Sequence, residues 1–160
     1  MDLWEVILPT MLRLHRQRAL ASEPLCVVAD QVGCPTATTG LAEACWALIT
    51  SRSEPVAVDQ PDDQPRSAPL PTLLHWSDAG VASWYDFAVA IGDLGQQSGL
   101  LKRAAVVQPI SSSEYPTPAK RPSYSLLDCS LSHTLLDLAP QHWRLALHQV
   151  MLAIKENQKP

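Results

Sequence analysis

Apolar residues at helical spacing open the chain. Leu3, Ile7, Met11 and Leu14 recur every three or four positions, with Arg13, Arg16 and Arg18 on other faces. Pro9 interrupts this pattern. A proline inside a helix removes one hydrogen bond and clashes with the preceding turn, so the helix is expected to begin at Pro9, with residues 1–8 irregular. Residues 25–29 (LCVVA) form a short run rich in β-branched residues and read as a strand. Residues 30–36 (DQVGCPT) read as a loop, with Gly33 and Pro35 as its turn residues. A helix capped by Thr38 or Thr39 follows, and Leu41, Cys45, Leu48 and Ile49 are its expected buried stripe.

The pattern then breaks. Residues 54–71 place Pro55, Pro61, Pro65, Pro69 and Pro71 among Asp, Gln and Ser. Such a stretch buries too little apolar surface to offset its ordering entropy, and a mobile, disordered insert without a site is expected. Residues 73–76 (LLHW) read as a strand. Ser83 and Asp86 have the spacing of a capping box for a helix burying Trp84, Phe87, Ala88, Ile91 and Leu94, and Gly95 and Gly99 are read as ending it. Residues 104–110 (AAVVQPI) read as a strand whose Pro109 places its end near a sheet edge. Residues 111–125 are irregular. Ser130 is placed to cap a short helix through Leu135 and Leu136. Pro140 is placed to open a last helix, with Trp143, Ala146, Leu147, Val150, Met151 and Ile154 on one stripe. No internal repeat occurs.

Composition adds limits. The chain has 160 residues, the length of one ordinary domain, and is 46% hydrophobic, enough for a core. A net charge of −4 and the absence of any basic run give no electrostatic footprint for nucleic acid or an anionic membrane surface. No apolar run approaches the ~20 residues that span a bilayer, and the start, Met1-Asp2-Leu3-Trp4-Glu5, lacks the basic residues of a signal peptide. A cytoplasmic protein is expected. Cys26, Cys34, Cys45 and Cys129 contain no CxxC pair, and the expectation is reduced, mostly buried thiols.

The search for chemistry is mostly negative. The six glycines, at 33, 40, 80, 92, 95 and 99, form no glycine-rich turn between a strand and a helix. No P-loop, nucleophile elbow or HExxH occurs, and the five histidines read as surface or packing residues. Positions four residues after Tyr85, Tyr115 and Tyr124 hold Val89, Ala119 and Asp128, so none makes a Tyr-x-x-x-Lys pair. Catalytic, cofactor-binding and metal residues are therefore expected to be absent. Two loops remain. Asp30, Gln31, Pro35 and Thr36 lie where a strand gives way to a helix, a usual place for ligand contacts. Residues 114–125 carry Lys120 and Arg121 between prolines, and the planar guanidinium of Arg121 suits bidentate contact with a phosphate. Turn-forming and capping roles account equally well for Asp30, Thr36 and Ser125.

Taken together, the segments resemble a family. Thr10-Met11-Leu12-Arg13-Leu14, Val27-Val28-Ala29-Asp30-Gln31 with Gly33 and Pro35-Thr36, Ser83-Trp84-Tyr85-Asp86-Phe87-Ala88, and Tyr115-Pro116-Thr117-Pro118-Ala119-Lys120-Arg121-Pro122 with Ser125 and Leu127 occur in this order in dTDP-4-dehydrorhamnose reductases. These are extended short-chain dehydrogenases. The resemblance implies NADPH-dependent reduction of the C4 keto group of dTDP-6-deoxy-L-lyxo-4-hexulose to dTDP-L-rhamnose. It covers the family's C-terminal, sugar-nucleotide-binding half only. The half with the glycine loop and the Ser/Thr, Tyr and Lys set finds no counterpart here. The implied fold class is α/β, or α+β in isolation: a mainly helical substrate-binding portion with a few short strands and without most of the Rossmann sheet. By resemblance, Asp30, Gln31, Pro35, Thr36 and Arg121 contact a dTDP-sugar. NADPH serves the family, and no cofactor is expected on this chain alone.

Three readings follow. The chain is a reductase fragment inactive alone, a non-catalytic sugar-nucleotide-binding or regulatory partner subunit, or a small enzyme of another type. The last lacks any catalytic constellation. The first two imply a separate N-terminal Rossmann chain or a homo-oligomer, because a strand at 73–76 without its sheet leaves an edge and a helix face uncovered.

Overall fold

The structure is a computed structural model and describes residues 3–52 and 71–157. The proline-rich stretch expected to be disordered lies outside them, except for Pro71. Helix α1 (Leu3–Ala21) leads into strand β1 (Leu25–Val28), the two-residue strand β2 (Val32–Gly33) and helix α2 (Thr38–Arg52). Strand β3 (Ala82–Ser83) runs into helix α3 (Trp84–Gln97), and strand β4 (Val107–Ile110) into a 3-10 turn (Ser112–Glu114). Helices α4 (Ser130–Leu136) and α5 (Trp143–Asn157) close the order. The result is mainly helical with a few short strands, as expected.

Helix α3 is the centre. Its start follows the capping box read from the sequence: Ser83 N–H donates to Asp86 Oδ2 at 2.8 Å, and Asp86 N–H donates to Ser83 Oγ at 3.1 Å. Phe87, Ala88, Ile91 and Leu94 are buried, while Trp84 is partly exposed. Helices α1 and α5 pack on α3. The α5 stripe supplies Trp143, Ala146, Leu147 and Met151 to the core, and Val150 and Ile154 pack against it. The Phe87 and Trp143 rings meet edge to face with centroids 6.1 Å apart. Gly92 admits α1: a Cβ there would lie 2.9 Å from His15 Cε1.

Strands β1 and β4 pair in parallel, Leu25 opposite Val107 and Val28 opposite Ile110. Strands β2 and β3 pair antiparallel. Pro109 stands in β4 opposite Val27 and removes one donor from that strand.

Several expectations need correction. Helix α1 runs through Pro9 instead of starting there. Pro9 is exposed, and the buried side chains of Leu8 and Leu12 flank it. Burial of roughly 1.5–3 kcal/mol per leucine offsets a proline cost of about 3 kcal/mol. Residues 73–76 form no strand. They join no ladder, and the Trp76 ring meets that of His133 edge to face with centroids 5.2 Å apart. The expected stripe of α2 is largely outside: Leu41 is 44% and Ile49 55% exposed, Cys45 is exposed, Leu48 is half-buried and Ala44 is buried instead. Its neighbour α4 has seven residues and is too short to cover it. Two of the four thiols, Cys26 and Cys45, are exposed, and only Cys129 is fully buried. Helix α3 continues through Gly95 and stops at Gln97, with Gly99 at φ +77° just beyond. Ser130 is the first residue of α4 and receives its cap from Asp128. Helix α5 begins three residues after Pro140.

His15 is completely buried. Its Nε2 lies 3.0 Å from the Ala88 carbonyl, so the proton sits on Nε2, and Nδ1 has no hydrogen-bond partner among the described residues. Burial lowers its pKa; the Ala88 carbonyl and the charge of Asp93 oppose this more weakly. An unfolded chain binds this proton near pH 6.5, whereas the folded chain binds it only at lower pH. Stability is therefore full above pH 6.5 and falls as pH drops through the folded value. Urea unfolding at pH 7.5 and about 5.5 should show this loss in the parent chain and a smaller loss in His15→Gln. Equal losses in both would contradict the assignment.

Candidate functional site

A cleft of about 660 Å³ opens between the start of α1, the loop before α2, the start of α3 and the second of the two loops singled out above. Gln31, Pro35, Thr36 and Arg121 all line it, although Thr36 and Arg121 are 85 residues apart in sequence. Backbone pairing explains their meeting. Val32 N–H donates to the Ser123 carbonyl at 2.8 Å, and Ser125 N–H donates to the Val32 carbonyl at 2.9 Å. On its other edge Val32–Gly33 pairs with Ala82–Ser83. The first loop is thus held between the second loop and the N-terminus of α3.

One expected contact is elsewhere. Asp30 does not line the cleft. Both its carboxylate oxygens accept from Ser112 N–H at 3.0 Å, and Oδ1 also accepts from Ser112 Oγ at 2.6 Å. These bonds, side-chain before backbone, hold its pKa below the usual carboxylate range. Asp30 fastens the end of β1 to the turn after β4, an arrangement that fits the turn-forming alternative left open by the sequence. Gln31 shares the anchor, its Nε2 donating to Ser112 Oγ at 2.9 Å.

The wall made by Cys34, Thr36 and Ala37 is supported from behind by Asp78, which is 5% exposed. Ala37 N–H donates to Asp78 Oδ2 at 2.9 Å, Asp78 N–H donates to Thr36 Oγ1 at 3.2 Å, and the Cys34 thiol donates to the Asp78 carbonyl at 2.9 Å. Burial raises the Asp78 pKa, and the Ala37 hydrogen bond partly opposes this. The Cys34 thiol is pushed up to about 11 by burial first, then by the neighbouring Asp78 and Cys129. It is a neutral donor at physiological pH, not a nucleophile.

Trp76, Leu41, Trp84 and Phe87 add apolar surface to the cleft. Sequence reasoning missed Trp76 because it was placed in a strand, and missed Asp78 because nothing local marks it. Among the described lining residues Arg121 is the single charged side chain; it is exposed and forms no ion pair with any of them. The arrangement suits a ligand that carries both an anionic group and flat or apolar parts. Among the described residues no group of three or more His, Cys, Asp or Glu is placed to hold a metal ion, and no helix is long and apolar enough to cross a membrane.

A family model described as the RmlD substrate binding domain matches residues 5–156. A dTDP-4-dehydrorhamnose reductase of Aggregatibacter actinomycetemcomitans is 32% identical over 141 residues, covering 88% of this chain and 43% of the relative. Among solved structures, a dTDP-4-dehydrorhamnose reductase of Clostridium acetobutylicum superposes with a TM-score of 0.69 at 29% identity, over 93% of this chain and 44% of its own. A reductase of the same name from Bacillus anthracis, in complex with NADP, gives 0.68 at 26% identity, over 93% and 43%. The chain spans about two-fifths of the length of the curated relatives it matches.

The raised thiol pKa has a direct consequence. With a disulfide reagent at pH 8, about the ordinary thiol pKa, Cys26 and Cys45 should react first and Cys34 should lag far behind, as read by peptide mass spectrometry. Modification of Cys34 as fast as Cys26 would contradict a buried, hydrogen-bonded thiol.

Proposed function

The chain belongs to the RmlD substrate-binding domain family, and from that membership we propose that its cleft binds the dTDP-sugar of a dTDP-4-dehydrorhamnose reductase. The reaction is NADPH-dependent reduction of the C4 keto group of dTDP-6-deoxy-L-lyxo-4-hexulose to dTDP-L-rhamnose. The observation that carries this reading is Arg121, the lone charge among the described residues that line the cleft, which also offers Gln31 and Thr36 for polar contacts. A guanidinium without a competing carboxylate is free to take two oxygens of a diphosphate. The apolar surface of Leu41, Trp76 and Trp84 suits the rings at either end of such a ligand. Pro35 stiffens the wall opposite. Asp30 contributes by anchoring and not by touching the ligand.

The residues of this chain do not fit NADPH. The turn that follows β1 carries no glycine cluster, and the carboxylate of Asp30 stands there, where it would repel a pyrophosphate. The reducing step therefore belongs to residues beyond this chain, in a Rossmann portion whose sheet is largely absent here. In this reading the chain is the substrate-binding portion of an extended short-chain dehydrogenase, working in the cytoplasm. It docks on that portion or assembles with copies of itself. The exposed apolar face of α2, with Trp46 68% exposed, supports docking of this kind. The same surface favours a second reading, a non-catalytic sugar-nucleotide-binding or regulatory subunit that docks without completing an active site.

Two measurements test these readings. In calorimetric titration of the chain with dTDP-L-rhamnose, Arg121→Ala should weaken binding by roughly tenfold to a hundredfold, the worth of a charge-assisted contact. An unchanged affinity would remove Arg121 from the site. In fluorescence titration the chain alone should leave NADPH unbound and give no turnover, and adding a glycine-loop-bearing N-terminal half should restore activity. NADPH binding by the chain alone would contradict the division of labour. Docking of that half without turnover would favour the regulatory reading.

A further inference from the structure

The residue just before α2 offers no side-chain acceptor of its own. Ala37 occupies the position where Ser, Thr, Asp or Asn would normally satisfy the first helical amides. A carboxylate 41 residues away reaches in to accept from its N–H. The same residue binds Thr36 and Cys34, so three successive contacts join one side chain and its main chain to the whole wall. None of Asp78's own atoms lines the cleft, whereas Cys34, Thr36 and Ala37 all do.

Stability alone does not account for this residue. Burying a carboxylate disfavours its charged form. The exposed Asp86 completes the cap of α3 without that cost. The segment carrying Asp78 is also fixed on its far side. Ala79 N–H donates to the Gln141 carbonyl at 2.8 Å, and Trp143 N–H donates to the Ala79 carbonyl at 3.0 Å. Gly80 follows at φ +98°, where a Cβ would meet His142 Nε2 at 2.6 Å. The wall is thereby referred to the start of α5, an element of the core, and not merely to its own helix.

We propose that Asp78 is a positioning residue: by holding residues 34–37 against the core it sets the face of the cleft that a sugar nucleotide meets, without touching the ligand. This rests on the sugar-nucleotide reading above only for the identity of the ligand.

The test uses Asp78→Ala and Asp78→Asn in the full chain, below the unfolding transition of each variant. Asparagine keeps an acceptor for Ala37 N–H and removes the charge. Asp78→Ala should speed amide hydrogen exchange at Ala37 by about tenfold while leaving Leu147 in α5 unchanged. It should also weaken dTDP-L-rhamnose binding by about five- to tenfold. Asp78→Asn should restore both to within about threefold of the parent. Unchanged exchange at Ala37 in Asp78→Ala would overturn the proposal, and so would an Asp78→Asn chain no better than Asp78→Ala. A parent chain that binds neither dTDP nor dTDP-L-rhamnose would refute the ligand reading, and the exchange measurements would still decide the role of Asp78.

Discussion

Asp78 stands where three parts of the chain meet: the loop that walls the cleft, the start of α2, and, through Ala79, the start of α5. The first two contribute little packing of their own, whereas the start of α5 belongs to the core. Helix α2 is partly exposed along its apolar side, and the loop before it has the two-residue strand β3 on one edge and a single bridge, Val32 to Tyr124, on the other. A carboxylate with little exposure, accepting from a helix N-terminus, gives this corner a fixed geometry that hydrophobic packing there does not supply. A charge-assisted bond of this kind is worth more in a site shielded from water than on the surface. Breaking it leaves the Ala37 N–H, just before the first residue of α2, without its acceptor.

The rest of the molecule gives that corner something rigid to refer to. The interdigitation of α1, α3 and α5 around Leu8, Ile91, Leu147 and Met151 is the one extensively buried region among the described residues. The short sheets do not form a core. They act as clips, β1 with β4 and β2 with β3, that bring distant loops to one place. Arg121 reaches the cleft because Ser123 and Ser125 pair with Val32, not because any helix carries it. A binding surface built from clipped loops on a helical base separates two tasks: packing fixes the base, and polar bonds set the site.

That separation also decides what the sequence reveals. The capping box of Ser83 and Asp86 and the stripe of α5 are local patterns, and both stand as read. The pairing of the Gln31–Thr36 region with the Arg121 loop was legible only through order along the chain, because four segments together resemble one family. Failures occur where a local rule meets a tertiary force. Leu8 and Leu12 carry α1 through Pro9. The apolar residues of α2 follow helical spacing, yet the described residues offer little to cover them. Asp30 has the composition of a ligand contact but spends both oxygens on Ser112. Asp78 left no signal at all, since its partners on the cleft wall lie 41 or more residues away.

The central claim is that a sugar nucleotide lies between Arg121 and the wall that Asp78 supports. A crystal structure of the chain with dTDP-L-rhamnose bound tests it most directly. The account predicts diphosphate oxygens within hydrogen-bond reach of the Arg121 guanidinium, the ligand in contact with Thr36 and Pro35, and the bond from Ala37 N–H to Asp78 intact. Ligand bound outside this cleft, or in it with the diphosphate turned away from Arg121, would contradict the account.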